Sequence, residues 1–231
     1  RICILYDADE VTGVNSRADL AVAEAVVQKR LRRKALENGA TLIDPDTVYF
    51  SWDTKLGRDV VVGPNVVFGP GVVVGDDVTI HAFSHIEGAR IDNDCVVGPF
   101  ARLRPGTHLW QKVRVGNFVE VKNALLHDGV KANHLAYIGD AEIGGGKNFS
   151  CGAITANYDG FDKHKTVIGD NVMVGSNVTL VAPVTIGAGA YLAAGSTVTK
   201  DVPADALAVE RAETKQLEGW AARNRKKKTE K

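Results

Sequence analysis

Residues 56–80 read LGRDVVVGPNVVFGPGVVVGDDVTI. A large apolar residue followed by glycine returns every six positions, at Leu56-Gly57, Val62-Gly63, Phe68-Gly69 and Val74-Gly75, and Ile80 keeps the count. Six is neither the 3.6 period of a helix nor the simple alternation of a half-buried strand. It requires a repeating strand-and-turn unit. The count resumes one residue early at Ile91 and continues through Val97-Gly98, Leu103, Leu109, Val115-Gly116 and Val121. Two further one-residue slips give Leu126, Ala132 and Ile138-Gly139, then Ile143-Gly144 and Phe149. After an interruption from Thr155 to Thr166, carrying ANYDGFDKHK, the phase returns at Ile168-Gly169, Val174-Gly175, Leu180, Ile186-Gly187, Leu192 and Val198.

Hexapeptide repeats of this kind predict a mainly β protein, a parallel β-helix in which each coil buries its apolar face by stacking on its neighbours. Three hexads make one triangular coil, so residues about 18 apart fall one above another at the ~4.8 Å spacing of paired strands. Val, Ile and Leu at the first hexad position fill the interior, and the glycines are expected at tight or positive-φ corners. Roughly eight coils fit between residues 56 and 203. The repeat-breaking segment is a candidate binding loop.

The flanks read differently. Ser16 is a good N-cap, and Leu20, Val22, Ala23, Val26, Val27, Leu31 and Ala35 are spaced roughly as a helix, with Gly39 placed to close it. This predicts a helix over residues 17–38; its RLRRK run, residues 30–34, reads as a solvated face. Beyond Val202-Pro203 the hexads stop. A short helix over 212–224 and a disordered RKKKTEK tail are expected there.

Charge and composition exclude several classes. The 28 basic and 28 acidic residues of the 231 cancel, which argues against a general nucleic-acid or anionic-membrane surface. Cys3, Cys95 and Cys151 are too few and too scattered for a disulfide framework or structural zinc. No stretch approaches the ~20 apolar residues of a membrane span, and a cytoplasmic location is expected.

Stacking turns the repeat into a map of neighbours. Arg104 and Lys122 are both second in their hexads and should project side by side from adjacent coils. Two cations with no acidic partner at those positions suit a phosphate. His134 should have Asn117 below it and Cys151 above, with Arg102, Glu120 and Tyr137 in another column. A histidine near a carboxylate can serve as a general base. Arg104, Lys122, Glu120 and Asn148 all fall within a coil or so of it.

The strings PFARLRPG, VGNFVEVKNA, KANHLAYIGDAEIG, ITANYDG, VGSNVTLVAPVTIG and AAGSTVT resemble the acetyltransferase domain of the bifunctional bacterial N-acetylglucosamine-1-phosphate uridyltransferase and glucosamine-1-phosphate acetyltransferase. The resemblance covers nearly the whole chain. It implies a left-handed β-helix, against the usual right-handed preference of crossovers, and a homotrimer with active sites shared between neighbouring subunits. It divides the chain into 1–15, a remnant of a uridyltransferase domain; 16–39, a linker helix; 40–203, the β-helix; and 204–231, a C-terminal extension.

Residue by residue, the resemblance implies that His134 is the general base and Glu120 a carboxylate important to it. It also implies that Arg104, Lys122, Tyr137, Asn148 and Lys163 hold the sugar phosphate. For acetyl-CoA the matching positions are Cys151, Asn157, Tyr158, Ser176, Ala194 and Arg211. Cys151 stands where the family often has alanine, and GGGKNFSCGA replaces a more regular hexad stretch. The implied reaction moves an acetyl group from acetyl-CoA to the amine of glucosamine 1-phosphate without a metal. Uridylyl transfer is not expected, and Asn15, which resembles a magnesium-holding asparagine of the absent domain, reads as an orphan. Two rivals remain at this level: a metal-dependent β-helix lyase using His81 and His85, and a purely structural β-helix.

Overall fold

The computed structural model describes residues 13–146 and 148–229; most of the segment read as a remnant, residues 1–12, lies outside the described residues. From Thr41–Leu42 to Leu207–Ala208 the chain winds as a left-handed parallel β-helix of about 9 turns. Among the described residues, ten short strands stack on one face, and fourteen cover the other two. The long strands Glu120–Leu126 and Tyr137–Ile143 carry this second sheet round an edge. The stack therefore starts before the first hexad counted and runs past residue 203.

Interior positions lie in columns. Val62, Ile80, Val97, Val115, Ala132, Phe149, Val174 and Leu192 are successive parallel partners, one per coil. All eight are buried, and each large one contributes roughly 1.5–3 kcal/mol by leaving water. Ile80 to Val97 and Val115 to Ala132 are coils of 17 residues, which explains the slips in the repeat. Phe149 pairs with Val174, 25 residues on. That coil holds the interruption.

Glycine takes positive-φ corners as expected, at Gly71, Gly88, Gly106, Gly152 and Gly195 among others, but shares them with other residues. Asp, Asn and even aromatic residues also turn corners at positive φ: Asp59, Asp77 and Asp94 on one edge, Asn65, Phe83, Phe100, Phe118 and Leu135 on a second, Asn123 and Asp140 on a third. Phe83, Phe100 and Phe118 stack as an exposed ladder, 5.0 and 5.2 Å between rings. The hexad glycines Gly63 and Gly116 have ordinary φ. They serve close approach, because a Cβ on Gly63 would lie 2.7 Å from Ala82 N, and one on Gly116 2.7 Å from the Asn133 carbonyl carbon.

Helix α1, Arg17–Glu37, opens on a capping box: Asp19 N–H donates to Ser16 Oγ (3.1 Å), and Ser16 N–H donates to the Asp19 carboxylate (2.8 Å). It closes at Asn38, with Gly39 at φ 95. Of the apolar stripe read from sequence, Leu31 and Ala35 pack on the core, while Leu20, Val22 and Val27 are exposed. Polar anchors replace the rest. The Gln28 amide exchanges two hydrogen bonds with the Phe50 backbone (2.7 and 2.8 Å), and Arg32 Nε donates to Val48 O (2.8 Å). The first coil has no strand beneath it, so these side chains satisfy backbone groups that would otherwise form an open edge.

At the other end, the expected helix over 212–224 is displaced to α2, Trp220–Thr229. Gly219, at φ 69, breaks the span, and residues 209–217 carry no regular structure. The tail is helical as far as Thr229 rather than disordered. Among the described residues no helix is long and apolar enough to cross a membrane.

Candidate active site

The second edge carries one line of candidates. Asn117 and His134 are register partners. Backbone hydrogen bonds continue the line: Leu135 N to Asn117 O, Gly152 N to Leu135 O, Asn177 N to Cys151 O, and Gly195 N to Ser176 O, all 2.8–3.0 Å. Asn117, His134, Cys151, Ser176 and Ala194 therefore ascend one column. Arg211 reaches its top, its Cδ lying 3.8 Å from where a Cβ on Gly195 would stand.

His134 is exposed, and its Nδ1 is 3.1 Å from Asn117 Oδ1. With that oxygen accepting, Nδ1 holds the proton and Nε2 is free to take one up. Glu120, the carboxylate expected to be important to the histidine, is bonded to arginine. Glu120 Oε1 accepts from Arg104 Nη1 at 2.8 Å, and Oε2 lies 3.6 Å from Arg102 Nη1. Arg104 thus has the acidic partner that its sequence position seemed to lack, because its long side chain reaches the adjacent column.

The neighbouring face holds Arg102, Glu120 and Tyr137 in register, as the spacing predicted. Lys122 pairs with Gly139 in the same strands. Its pKa is lowered, first by the nearby Lys163 amine, then by burial and the charge of Arg104; Asp140 works the other way. Three cations so close together favour an anion of more than one charge.

Lys163 arrives on the interruption, a small hairpin at the third edge. Tyr158 and Lys163 form an antiparallel bridge, and His164 N donates to Asn157 O at 2.8 Å. Asp159 locks the turn, accepting from Phe161 N, Asp162 N and His164 Nε2 at 2.7–2.8 Å. These bonds, the one from Asp162 N foremost, hold its carboxyl well below the usual range. Asn157, buried, donates to Asp140. An open cleft of about 410 Å³ beside the hairpin is lined by Asn123, Asp140, Lys163, His164 and Lys165, among others.

The repeat pattern described as bacterial transferase hexapeptide (six repeats) matches residues 53–88 and 165–200. The chain carries this hexapeptide repeat in both stretches. It is 60% identical over 216 residues to the bifunctional protein GlmU of Azorhizobium caulinodans, covering 94% of this chain and 48% of that protein. It is 52% identical over its whole length to the bifunctional protein GlmU of Zymomonas mobilis, covering 52% of that protein. The chain thus spans about half the length of the curated relatives it matches. Among solved structures, LpxA from Acinetobacter baumannii aligns with a TM-score of 0.56 at 18% identity, covering 70% of this chain and 68% of that one. The UDP-N-acetylglucosamine acyltransferase from Campylobacter jejuni aligns at 0.52 and 17%, covering 78% and 76%. Both likenesses show the fold.

Within this hexapeptide-repeat frame the candidates fall into two groups. Arg104, Glu120, Lys122, Tyr137, Asn157, Tyr158 and Lys163 belong to the face between the second and third edges and to the hairpin. His134, Cys151, Ser176, Ala194 and Arg211 follow the second-edge column. Asn148 joins neither: it pairs with Lys131 at the far end of the strand from His134. Sequence reasoning gave no role to Asn117 or Asp140. The signal for Asn117 was its place one coil below His134; for Asp140 it was the 17-residue step shared with Asn123 and Asn157.

Proposed function

We propose that the chain transfers an acetyl group from acetyl-CoA to the amine of glucosamine 1-phosphate. The observation that carries this reading is the Arg104, Lys122 and Lys163 cluster on the face adjoining the column of an Asn117-oriented His134. The motif strings that resemble the acetyltransferase half of the bifunctional enzyme occur at these same positions.

The three cations bind the sugar phosphate, with Glu120 holding the Arg104 fork in place. This directs the sugar amine toward His134. Nε2 accepts a proton from the amine as its nitrogen attacks the thioester carbonyl. The tetrahedral intermediate collapses with cleavage of the C–S bond, and the departing thiolate takes the proton back from the imidazolium. Atoms and charge balance without a covalent enzyme intermediate or a metal. Acetyl-CoA is read along Cys151, Ser176, Ala194 and Arg211, with Asn157 and Tyr158 approaching from a hairpin. Because the hairpin leaves from a different edge than this column, we read the working site as completed by a neighbouring subunit of a homotrimer.

Release of free thiol from acetyl-CoA, followed with and without glucosamine 1-phosphate, tests the reading. Release that depends on the sugar phosphate is expected. A rate unchanged by its addition refutes the assignment.

A further inference from the structure

We infer that Asp140 is a positioning residue for the sugar-phosphate site, fixing the hairpin that delivers Lys163 to Lys122. The inference rests on the function proposed above. Asp140 occupies the third edge at φ 48, a left-handed conformation that Asp and Asn adopt more readily than other side chains. Both of its oxygens are used. Oδ1 accepts from Asn123 Nδ2 at 2.6 Å, one coil below, and Oδ2 accepts from Asn157 Nδ2, one coil above.

Asn157 is where the hairpin begins. It is buried, its carbonyl accepts from His164 N, and Lys163 is the residue next to His164. Asp140 therefore clamps the base of the element whose far strand carries a phosphate-binding amine. The turn at the tip is locked separately by Asp159, so the hairpin behaves as a rigid piece whose placement depends on its base. Asp140 also faces the cation cluster. Lys122 meets Lys163 from the hairpin, Arg104 from the coil below and Asp140 from the edge, and only the last favours its charged form. One carboxylate thus aims Lys163 and offsets the repulsion that aiming creates.

Asp140→Asn tests this, because asparagine keeps the left-handed backbone and the size of the side chain. One of its two polar atoms becomes an NH₂ facing an amide NH₂, which breaks the clamp on one side. With acetyl-CoA saturating, the KM for glucosamine 1-phosphate should rise roughly tenfold or more, the scale of a lost charge-assisted hydrogen bond. The KM for acetyl-CoA should rise by clearly less, because Cys151, Ser176, Ala194 and Arg211 still hold it while Asn157 and Tyr158 move with the hairpin. In hydrogen exchange, the His164 amide at the base of the hairpin should lose protection relative to the coils above and below, while the Asp162 amide in the separately locked turn keeps its own. Unchanged sugar-phosphate KM, or equal rises in both KM values, overturns the inference. If the unsubstituted chain shows no sugar-dependent transfer, the function proposed above has failed instead. The clamp is then judged by exchange alone, and unaltered His164 protection in Asp140→Asn overturns it.

Discussion

Gly116→Ala separates the close-approach role of the hexad glycines from any need for backbone freedom. Gly116 has an ordinary φ, so alanine meets no conformational penalty there. The added Cβ would sit 2.7 Å from the Asn133 carbonyl carbon and 3.0 Å from its Cα, closer still to its oxygen. Backbone cannot swing aside as a side chain can. The two coils must part by more than the ~0.7 Å that would bring that carbon to the 3.4 Å of ordinary contact, because the nearer oxygen must clear as well. Overpacking of this kind costs about 1–3 kcal/mol, a fall in melting temperature of roughly 2–12 °C for a domain of this size. The strain falls next to Asn117 and opens its 3.1 Å contact with His134. A misplacement near 1 Å at a catalytic group can cost about 100-fold in rate. Thermal melts and thiol release from acetyl-CoA, measured on one preparation, give both numbers. Gly69→Ala is the control: it follows Phe68 as Gly116 follows Val115, but its nearest neighbours are Glu87 Cγ and Cβ at 3.0 and 3.1 Å, so only a few tenths of an ångström are needed and Cγ can rotate away. It should lie within about 0.5 kcal/mol of the parent. Equal melting points and equal rates for the two variants would refute the close-approach argument.

His134→Ala should fold with an unchanged melt and lose about 10²- to 10⁴-fold in turnover; a loss of tenfold or less removes it as the base. Arg104→Ala and Lys122→Ala should each weaken glucosamine 1-phosphate by roughly 1.5–3 kcal/mol while leaving acetyl-CoA binding in place, and calorimetric titration with each ligand distinguishes this from a general loss. Glu142 is held below its ordinary pKa by Lys165 first and His127 second. The unfolded chain therefore binds the proton first as pH falls, so this contribution is complete above about pH 4.3 and disappears as pH drops through the lower folded value. The gap in melting temperature between the parent and Glu142→Gln, open at pH 7, should close below that window; a constant gap contradicts it.

Much of the fold is legible because a period of six has a single economical structural solution, and phase slips can be counted in the letters. Columns follow from arithmetic, and the count alone places Asn117 under His134 and Arg102, Glu120 and Tyr137 in one line. What counting cannot supply is where long side chains end. Arg104 crosses to the adjacent column and takes Glu120, leaving a short, neutral Asn117 to orient the histidine. The hexad count misses the first coil, which only the resemblance includes from residue 40, because Thr41–Leu42 and the Val48–Phe50 stretch lack the aliphatic-glycine pair; Gln28 and Arg32 hold the latter instead. The C-terminal helix was misplaced because helix-favouring residues lie on both sides of Gly219, and only the distal set forms the helix.

The hairpin's two ends, Asn157 and His164, are joined by a single 2.8 Å hydrogen bond, so the solenoid leaves and re-enters at nearly one point. Neighbouring coils keep their register across the excursion, Tyr137 with Ile154 and Ala141 with Thr166. The edge is consequently a grafting port: a segment of different length or chemistry can be spliced there without rephasing any coil. On the function proposed above, Lys163's share of acceptor binding sits in an exchangeable loop, and proton transfer in a column that the loop does not interrupt.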